Sequence, residues 1–427
     1  EAQGGSATMP DGATATTAGG NVRYVAAQDV ALGGIDAGAG EVSIVAASGD
    51  ITDNGDADTD VVADDLRMVA GGNAGEPTGT SNGLLDTTIN ELAAAADGPG
   101  GIFLTNGQAL TVAEVGTVPV NRVQSDATTA VEDSDDNLSD VTTATNGGAI
   151  VLTTTAGDLT VTDGGDGDAA GIDADGAGNV LLETSDGSIT ANADVLSGTG
   201  HVTVLASNNV TFTAEADIVT GASGTIDVEA IGGSITLATD ADQTTGSGDV
   251  RMLADVDIIL GGTVSTTGAV SLITNTGTIY DGDIDGTVDI DATDLRIKAG
   301  TGAGELGVSV DPIETTVATV SAHAGAGGIN LLESDTLTVR DTSVTVNRVA
   351  EDAEVSGVTD AIQSDLITTD GSGGSIVLRS TAGDITLNDG TAPDDDGAIS
   401  ADGAGNVLIE AIEAARSVTA NADIESE

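Results

Sequence analysis

The residues best suited to chemistry in this chain are aspartates clustered in glycine-rich turns. Asp163-Gly164-Gly165-Asp166-Gly167-Asp168 leads on to Asp173 and Asp175, and a later stretch sets Asp389 before Asp394-Asp395-Asp396 and Asp402. Smaller groups are Asp53/Asp56/Asp58/Asp60 and Asp281/Asp283/Asp285. Calcium takes about six to eight oxygen ligands, and spaced Asp in a turn tightened by Gly can aim several carboxylates at one ion. Asp163, Asp166, Asp168 and Asp175, with Asp389, Asp394, Asp395 and Asp402 in the matching stretch, are therefore the candidate calcium ligands. Calcium is the only cofactor expected. No run carries the closing Glu of an EF-hand loop, and the competing reading is a set of solvated acidic turns.

Arginine is the second signal. Six of the nine arginines fall in matched pairs: Arg23 with Arg251, Arg67 with Arg296, and Arg122 with Arg348. In so acidic a chain, a guanidinium placed twice at one position most simply bridges carboxylates of neighbouring coils. The alternative is a subunit contact. Arg296-Ile297-Lys298 resembles the basic tripeptide of polygalacturonases, but the first copy reads Arg67-Met68-Val69 and no NTD or GHG companion occurs. His201 and His323 are far apart in sequence and have no counterparts in the other copy where an equivalent position exists. Glycosidase chemistry needs two carboxylates across one bond, and carboxylates here are too numerous to mark such a pair. There is no GK[ST] phosphate loop, and ten basic against seventy acidic residues, a formal charge of −60, exclude nucleic acid as a natural partner. The expectation is that the chain is not an enzyme.

These residues are set out by a repeat. GNVRYVAAQDVALGG from Gly20 returns as GDVRMLADVDIILGG from Gly248, DLRMVAGGNAGE from Asp65 as DLRIKAGTGAGE from Asp294, and ADGAGNVLLE from Ala174 as ADGAGNVLIE from Ala401. The offset stays between roughly 226 and 229 residues, and such self-similarity is the mark of a repeat architecture. Residues 1–228 form the first super-repeat and 229–427 a second, incomplete one, read as one continuous rod. A catalytic site is usually built once, whereas a structural surface is built many times.

Inside the long period lies a short one. Apolar runs with period-two alternation begin near Val22, Val42, Leu66, Val180, Val202, Ile226, Val250 and Val270, about 20–24 residues apart. A second apolar run comes after most of them at eight or nine residues and often a third, with Gly, Asn and Asp at the turns between. Three short strands per coil, repeated without helices, describe an all-β parallel β-helix. At a rise of about 4.8 Å per coil, the chain makes about 19 coils and a rod on the order of 90 Å long. Two regions break the rhythm. LLDTTINELAAAAD from Leu84 has helical character, but its counterpart DPIETTVATVSAHA from Asp311 is rich in β-branched residues, so a strand is expected in both. Residues 125–146, with EDSDDNLSD, are expected to form a long acidic loop.

The pattern in GDVRMLADVDIILGGTVSTTG resembles the right-handed β-helix repeats of filamentous-haemagglutinin-type adhesins. The longer series DLRIKAGTGAGEL, DPIETTVATV, GGINLLESDTLTV and VNRV is similar to segments of giant repetitive bacterial surface proteins. The resemblance spans almost the whole chain. It implies display outside the cell and a role as filament, stalk, sheath or adhesin. Absence of Cys does not exclude that location, the scarcity of aromatics (Tyr24, Phe103, Phe212 and Tyr280) disfavours tandem β-sandwiches, and no run reaches the about 18 apolar residues of a membrane span. A chain opening on Glu1 without a visible signal peptide is read as a processed product or a window on a longer polypeptide. The expected partners are copies of itself or continuing repeats, with surface glycans as a further candidate. The alternatives are an adhesin stalk presenting a binding domain outside this window and, behind it, a β-helical polysaccharide lyase or hydrolase.

Overall fold

The computed structural model describes residues 1–54, 58–77, 83–132, 135–144, 147–214, 216–283, 286–307, 310–369, 373–391 and 397–426. They contain strands, turns and no helix, so no helix among them is long and apolar enough to cross a membrane. The chain forms two compact units: Glu1–Ala206 with Val349–Ser356, and Ser207–Arg348 with Gly357–Glu427.

Each unit is a parallel β-helix. In the first, Val22–Ala26, Val42–Ala46, Asp65–Ala70 and Glu91–Ala96 stack in register. Ala7–Thr8, Val30–Leu32 and Ile51–Asp53 make a second stack, and Thr14–Thr16, Gly34–Asp36, Val61–Val62 and Leu85–Thr88 a third. Alternation along each strand sends Val, Ile, Leu and Ala inward, as in Val30, Leu32, Ile44 and Met68, all fully buried. The second unit stacks Ile226–Ala230, Val250–Ala254, Ala269–Thr274, Ile290–Lys298 and Ile313–Ala324 in the same way.

The first irregular region is a seam between two sets of stacks. Glu91–Ala96 pairs at its start with Leu110–Val112 and at its end with Val141–Thr143. Leu85–Thr88 pairs onward with Gly101–Asn106. One strand thus hands its hydrogen bonds to two. In the second unit Ile313–Ala324 pairs successively with Gly328–Glu333, Leu337–Val339 and Leu366–Thr368. Strand rather than helix holds in both copies, as the β-branched counterpart requires. The strand after each seam opens on Gly101 or Gly328, at φ +104° and +85°, where a Cβ would overlap the carbonyl oxygen of Ala149 or Ser375.

The second irregular region differs from expectation. Residues 125–146 are not one open loop. Val120–Val123 and Thr129–Glu132 form an antiparallel hairpin, and Val141–Thr143 belongs to a coil. Asp133, Ser134, Thr145 and Asn146 lie outside the described residues. Asp126 closes the turn by accepting the Thr128 N–H at 3.0 Å and its hydroxyl at 2.6 Å, with Ala127 at φ +64°. Thr345–Val349 and Val355–Thr359 form the corresponding two-stranded sheet, with Ala353 at φ +59°. Each hairpin arises between the two strands that the seam strand has separated.

Candidate functional site

The largest acidic group forms where the turn after Leu159–Val161 meets the residue before Val141–Thr143. Carboxylate oxygens of Asp140, Asp163, Asp166 and Asp168 lie within 4.8 Å of one another. The sequence folds this way because each Asp caps backbone. Asp140 Oδ1 accepts from Gly164 N at 2.9 Å, Asp163 Oδ1 from Gly165 N at 3.0 Å, and Asp168 Oδ1 from Ala170 N at 2.9 Å. Gly165, Gly167 and Ala169 supply left-handed backbone at φ +107°, +83° and +71°. Asp140 is buried, and burial first, then Asp166, Asp168 and Asp163, push it up to about 6.

Three of the expected ligands, Asp163, Asp166 and Asp168, are thus together, but Asp175 is not among them. It caps its own turn, accepting Gly176 N at 2.6 Å, too far along the coil to join. Asp140 was not anticipated. The available signal was its counterpart Asp365, which also precedes a coil strand and shares the left-handed backbone, at φ +68° against +64°. In the second copy Asp389 stands at the position of Asp163 and Asp402 at that of Asp175. Asp394 and Asp395 lie outside the described residues, as do Asp56 and Asp285.

The arginines fasten the chain after each hairpin to the outward row of a strand stack. Arg23 Nε and Nη2 grip Asp135 at 2.8–3.0 Å, and the hydrogen bond to Asp135 raises the Arg23 pKa. At the equivalent place Arg251 meets Asp360 at 3.2 Å, Asp227 at 3.0 Å and Glu229 at 3.5 Å. Arg122 pairs with Glu1 at 2.7 Å and Glu132 at 3.7 Å, and Arg348 with Asp227 at 2.7 Å and Glu229 at 2.5 Å. Glu1 and Glu229 are themselves equivalent positions.

Arg67 and Arg296 correct the expectation of ion pairing. Arg67 Nε donates to the Asp136 carbonyl at 3.0 Å, and Arg296 Nε to the Ala361 carbonyl at 3.1 Å. Neither makes an ion pair among the described residues, and burial lowers both pKa values. They lie under the return segment, where backbone oxygens and, for Arg296, the Ser271 hydroxyl at 3.4 Å are the acceptors in reach.

The tip of the second hairpin covers a different row. Val349 packs with Leu84, Phe103, Ala149, Val151 and Leu181, and Ala353 and Leu205 close the edge. Val349 N donates to Thr203 Oγ1 at 2.9 Å, and Asn179 Nδ2 to the Ala353 carbonyl at 3.0 Å. The equivalent of Val349 in the first hairpin is Val123, which is 66% exposed, and Val131 beside it is 70% exposed. Leu408, the equivalent of fully buried Leu181, is 46% exposed.

The residues weighed for catalysis are used otherwise. His323 Nε2 bonds the Ser364 carbonyl oxygen at 2.8 Å, and burial lowers its pKa. Arg296 is buried under the hairpin return, while Lys298 on the same strand is exposed. A cavity of about 390 Å³ between Tyr280, Glu305 and Leu306 is shallow and otherwise lined by Thr278 and glycines. Compared with protein-family models, with curated proteins and with solved structures, the chain matches none.

Proposed function

We propose that this chain is a segment of a structural protein of the cell exterior, a β-helical filament, stalk or sheath related to filamentous-haemagglutinin-type repeats. Its hairpin tips fasten one repeat, or one copy of the chain, to the next. The observation that carries the reading is the pairing of covered and bare surfaces. Val349 and Ala353 fill an apolar row at Phe103, Val151 and Leu181, while Val123, the counterpart of Val349, and Leu408, the counterpart of Leu181, are exposed. Exposed apolar groups at matched positions mark an interaction surface. A contact between two different surface positions, tip and row, is heterologous and forms open rods wherever it does not close into a ring. The charge of −60 keeps such a surface soluble and selects against non-specific association. We take Asp140, Asp163, Asp166 and Asp168 as a surface site for calcium.

The reading makes the chain a scaffold rather than an enzyme, because its paired arginines recur at matched positions and hold the hairpin and its return in both copies. A stalk for an adhesive domain would share all of these contacts and differ only in carrying that domain at the end of its repeats. Sedimentation velocity tests the fastening. The chain should associate as concentration rises, and a Val123→Asp/Val131→Asp variant, altered only at exposed positions, should remain monomeric with an unchanged melting temperature. A parent chain that is monomeric throughout would remove the self-assembling form of the proposal.

A further inference from the structure

We propose that Asp281, Asp289 and Glu314 form a second, buried site in unit 2, which binds a divalent cation of the calcium type. One carboxylate oxygen from each lies within 4.8 Å of the others. Oxygens on opposite sides of a calcium ion, with bonds of about 2.3–2.6 Å, stand about 4.6–5.2 Å apart. The three carboxylates are thus close enough for one ion to touch all of them.

The carboxylates are placed by the fold, not by a flexible loop. Asp289 is 4% and Glu314 8% exposed. Asp289 N donates to the Glu314 carbonyl at 3.0 Å, and Glu314 N returns a bond to Asp289 Oδ2 at 2.8 Å. Asp281 is held from the other side, with Oδ1 accepting from Asp283 N at 2.9 Å. The second observation is Glu314 Oε2, which is buried and accepts no hydrogen bond among the described residues. A buried carboxylate oxygen without a donor carries a large desolvation cost unless something cationic meets it.

The charged neighbours that act on Asp289 and Glu314 are Asp281, Asp283 and Asp311, together with each other, all carboxylates. Hard oxygen donors in this number suit calcium. A cavity of about 130 Å³ between Glu314, Thr315, Glu333 and Ser334 gives water room to approach Glu314 and complete a coordination shell.

The first copy builds the same frame. Asp53, Asp60 and Asp86 stand at the equivalent positions, Asp60 is fully buried, and Asp60 Oδ2 accepts Asp86 N at 2.9 Å. Asp60 N donates to the Asp86 carbonyl at 2.8 Å. The buried aspartate is kept in both copies, as Asp60 and Asp289, and an acid follows on the next coil in each, Asp86 in one and Glu314 in the other.

Terbium, a calcium substitute that luminesces when an adjacent tyrosine is excited, gives the test, because Tyr280 precedes Asp281. The whole chain should show tyrosine-sensitised terbium emission that calcium displaces, and calcium should raise its melting temperature. Glu314→Gln should weaken terbium binding at this site by roughly tenfold or more and lower the calcium stoichiometry by one. Its melting temperature without calcium should be equal to or above that of the parent, which shows that it folds. Asp166→Asn/Asp168→Asn, confined to the surface group, should leave the tyrosine-sensitised emission in place. Emission and stoichiometry unchanged in Glu314→Gln would overturn the proposal, whatever the assembly measurements show.

Discussion

Replacing Arg251 with alanine should destabilise the second unit by about 3–5 kcal/mol, the cost of removing one partner from a buried ion pair. The side chain of Arg251 is 8% exposed, and those of its partners Asp227 and Asp360 are 0% and 10% exposed. Asp227 keeps Arg348 at 2.7 Å, so the damage falls mainly on Asp360, whose Oδ2 already accepts no hydrogen bond among the described residues. The hairpin return should then lift, and limited proteolysis should cut within residues 340–365 well before the strand stacks. Arg122→Ala is the control. That side chain is 45% exposed beside Glu1 and Glu132, and an exposed pair is worth under about 1 kcal/mol. Denaturant melts of the two variants measure the difference, and equal losses would refute the assignment of the buried latch.

Glu333→Gln should flatten the dependence of stability on pH between about pH 5 and 7. Glu333 is fully buried and accepts from the Thr315 hydroxyl at 2.7 Å, Val317 N at 3.1 Å, Ser334 N at 2.9 Å and Asp335 N at 3.1 Å. Burial outweighs these bonds, which favour the anion, and raises the group from 4.5 to about 7. The folded chain therefore holds this proton where the unfolded chain has lost it. The contribution to stability is full below about pH 4.5 and is lost as pH rises through 7. The parent should melt progressively lower from pH 5 to pH 8. The Gln variant keeps an oxygen for Ser334 N and Asp335 N and should show a shallower slope over that range. Parallel slopes would place the titration elsewhere among the acids.

Much of the coil architecture could be read from the chain, because a strand declares itself through its neighbours in sequence. Val30-Ala31-Leu32 or Ile376-Val377-Leu378 shows inward and outward positions without any partner. The seam could not be read so directly: Glu91–Ala96 hands its hydrogen bonds to strands that start at Leu110 and Val141. Duplication singled out the arginines but not what they touch, since Arg23 and Asp135 are 112 residues apart and Arg251 and Asp360 are 109 apart. The chemistry of Arg67 and Arg296 was misjudged because a carbonyl acceptor leaves no trace in the identity of a residue. Asp140, Asp289 and Glu314 escaped notice for the opposite reason. Single acids flanking strands do not stand out beside runs such as Asp163–Asp168, yet burial gives them more chemical consequence. The hairpins hid behind their charge, because EDSDDNLSD suggests a solvated loop although VNRV and TAVE on either side of the turn alternate as strands.

The fastening of hairpin tip to apolar row is the central claim, and site-directed cross-linking tests it most directly. The chain has no cysteine, so introduced thiols report without background. Mixing Val123→Cys chains with Leu408→Cys chains under mild oxidation should give a covalent heterodimer, and a single chain carrying both substitutions should give a ladder of higher oligomers. Mixing Val123→Cys with Thr276→Cys, an exposed turn position away from the row, should give little product. Cross-linking of Val123→Cys to Leu408→Cys that is no faster than to Thr276→Cys would contradict the docking of tips onto equivalent rows and, with it, the self-fastening filament.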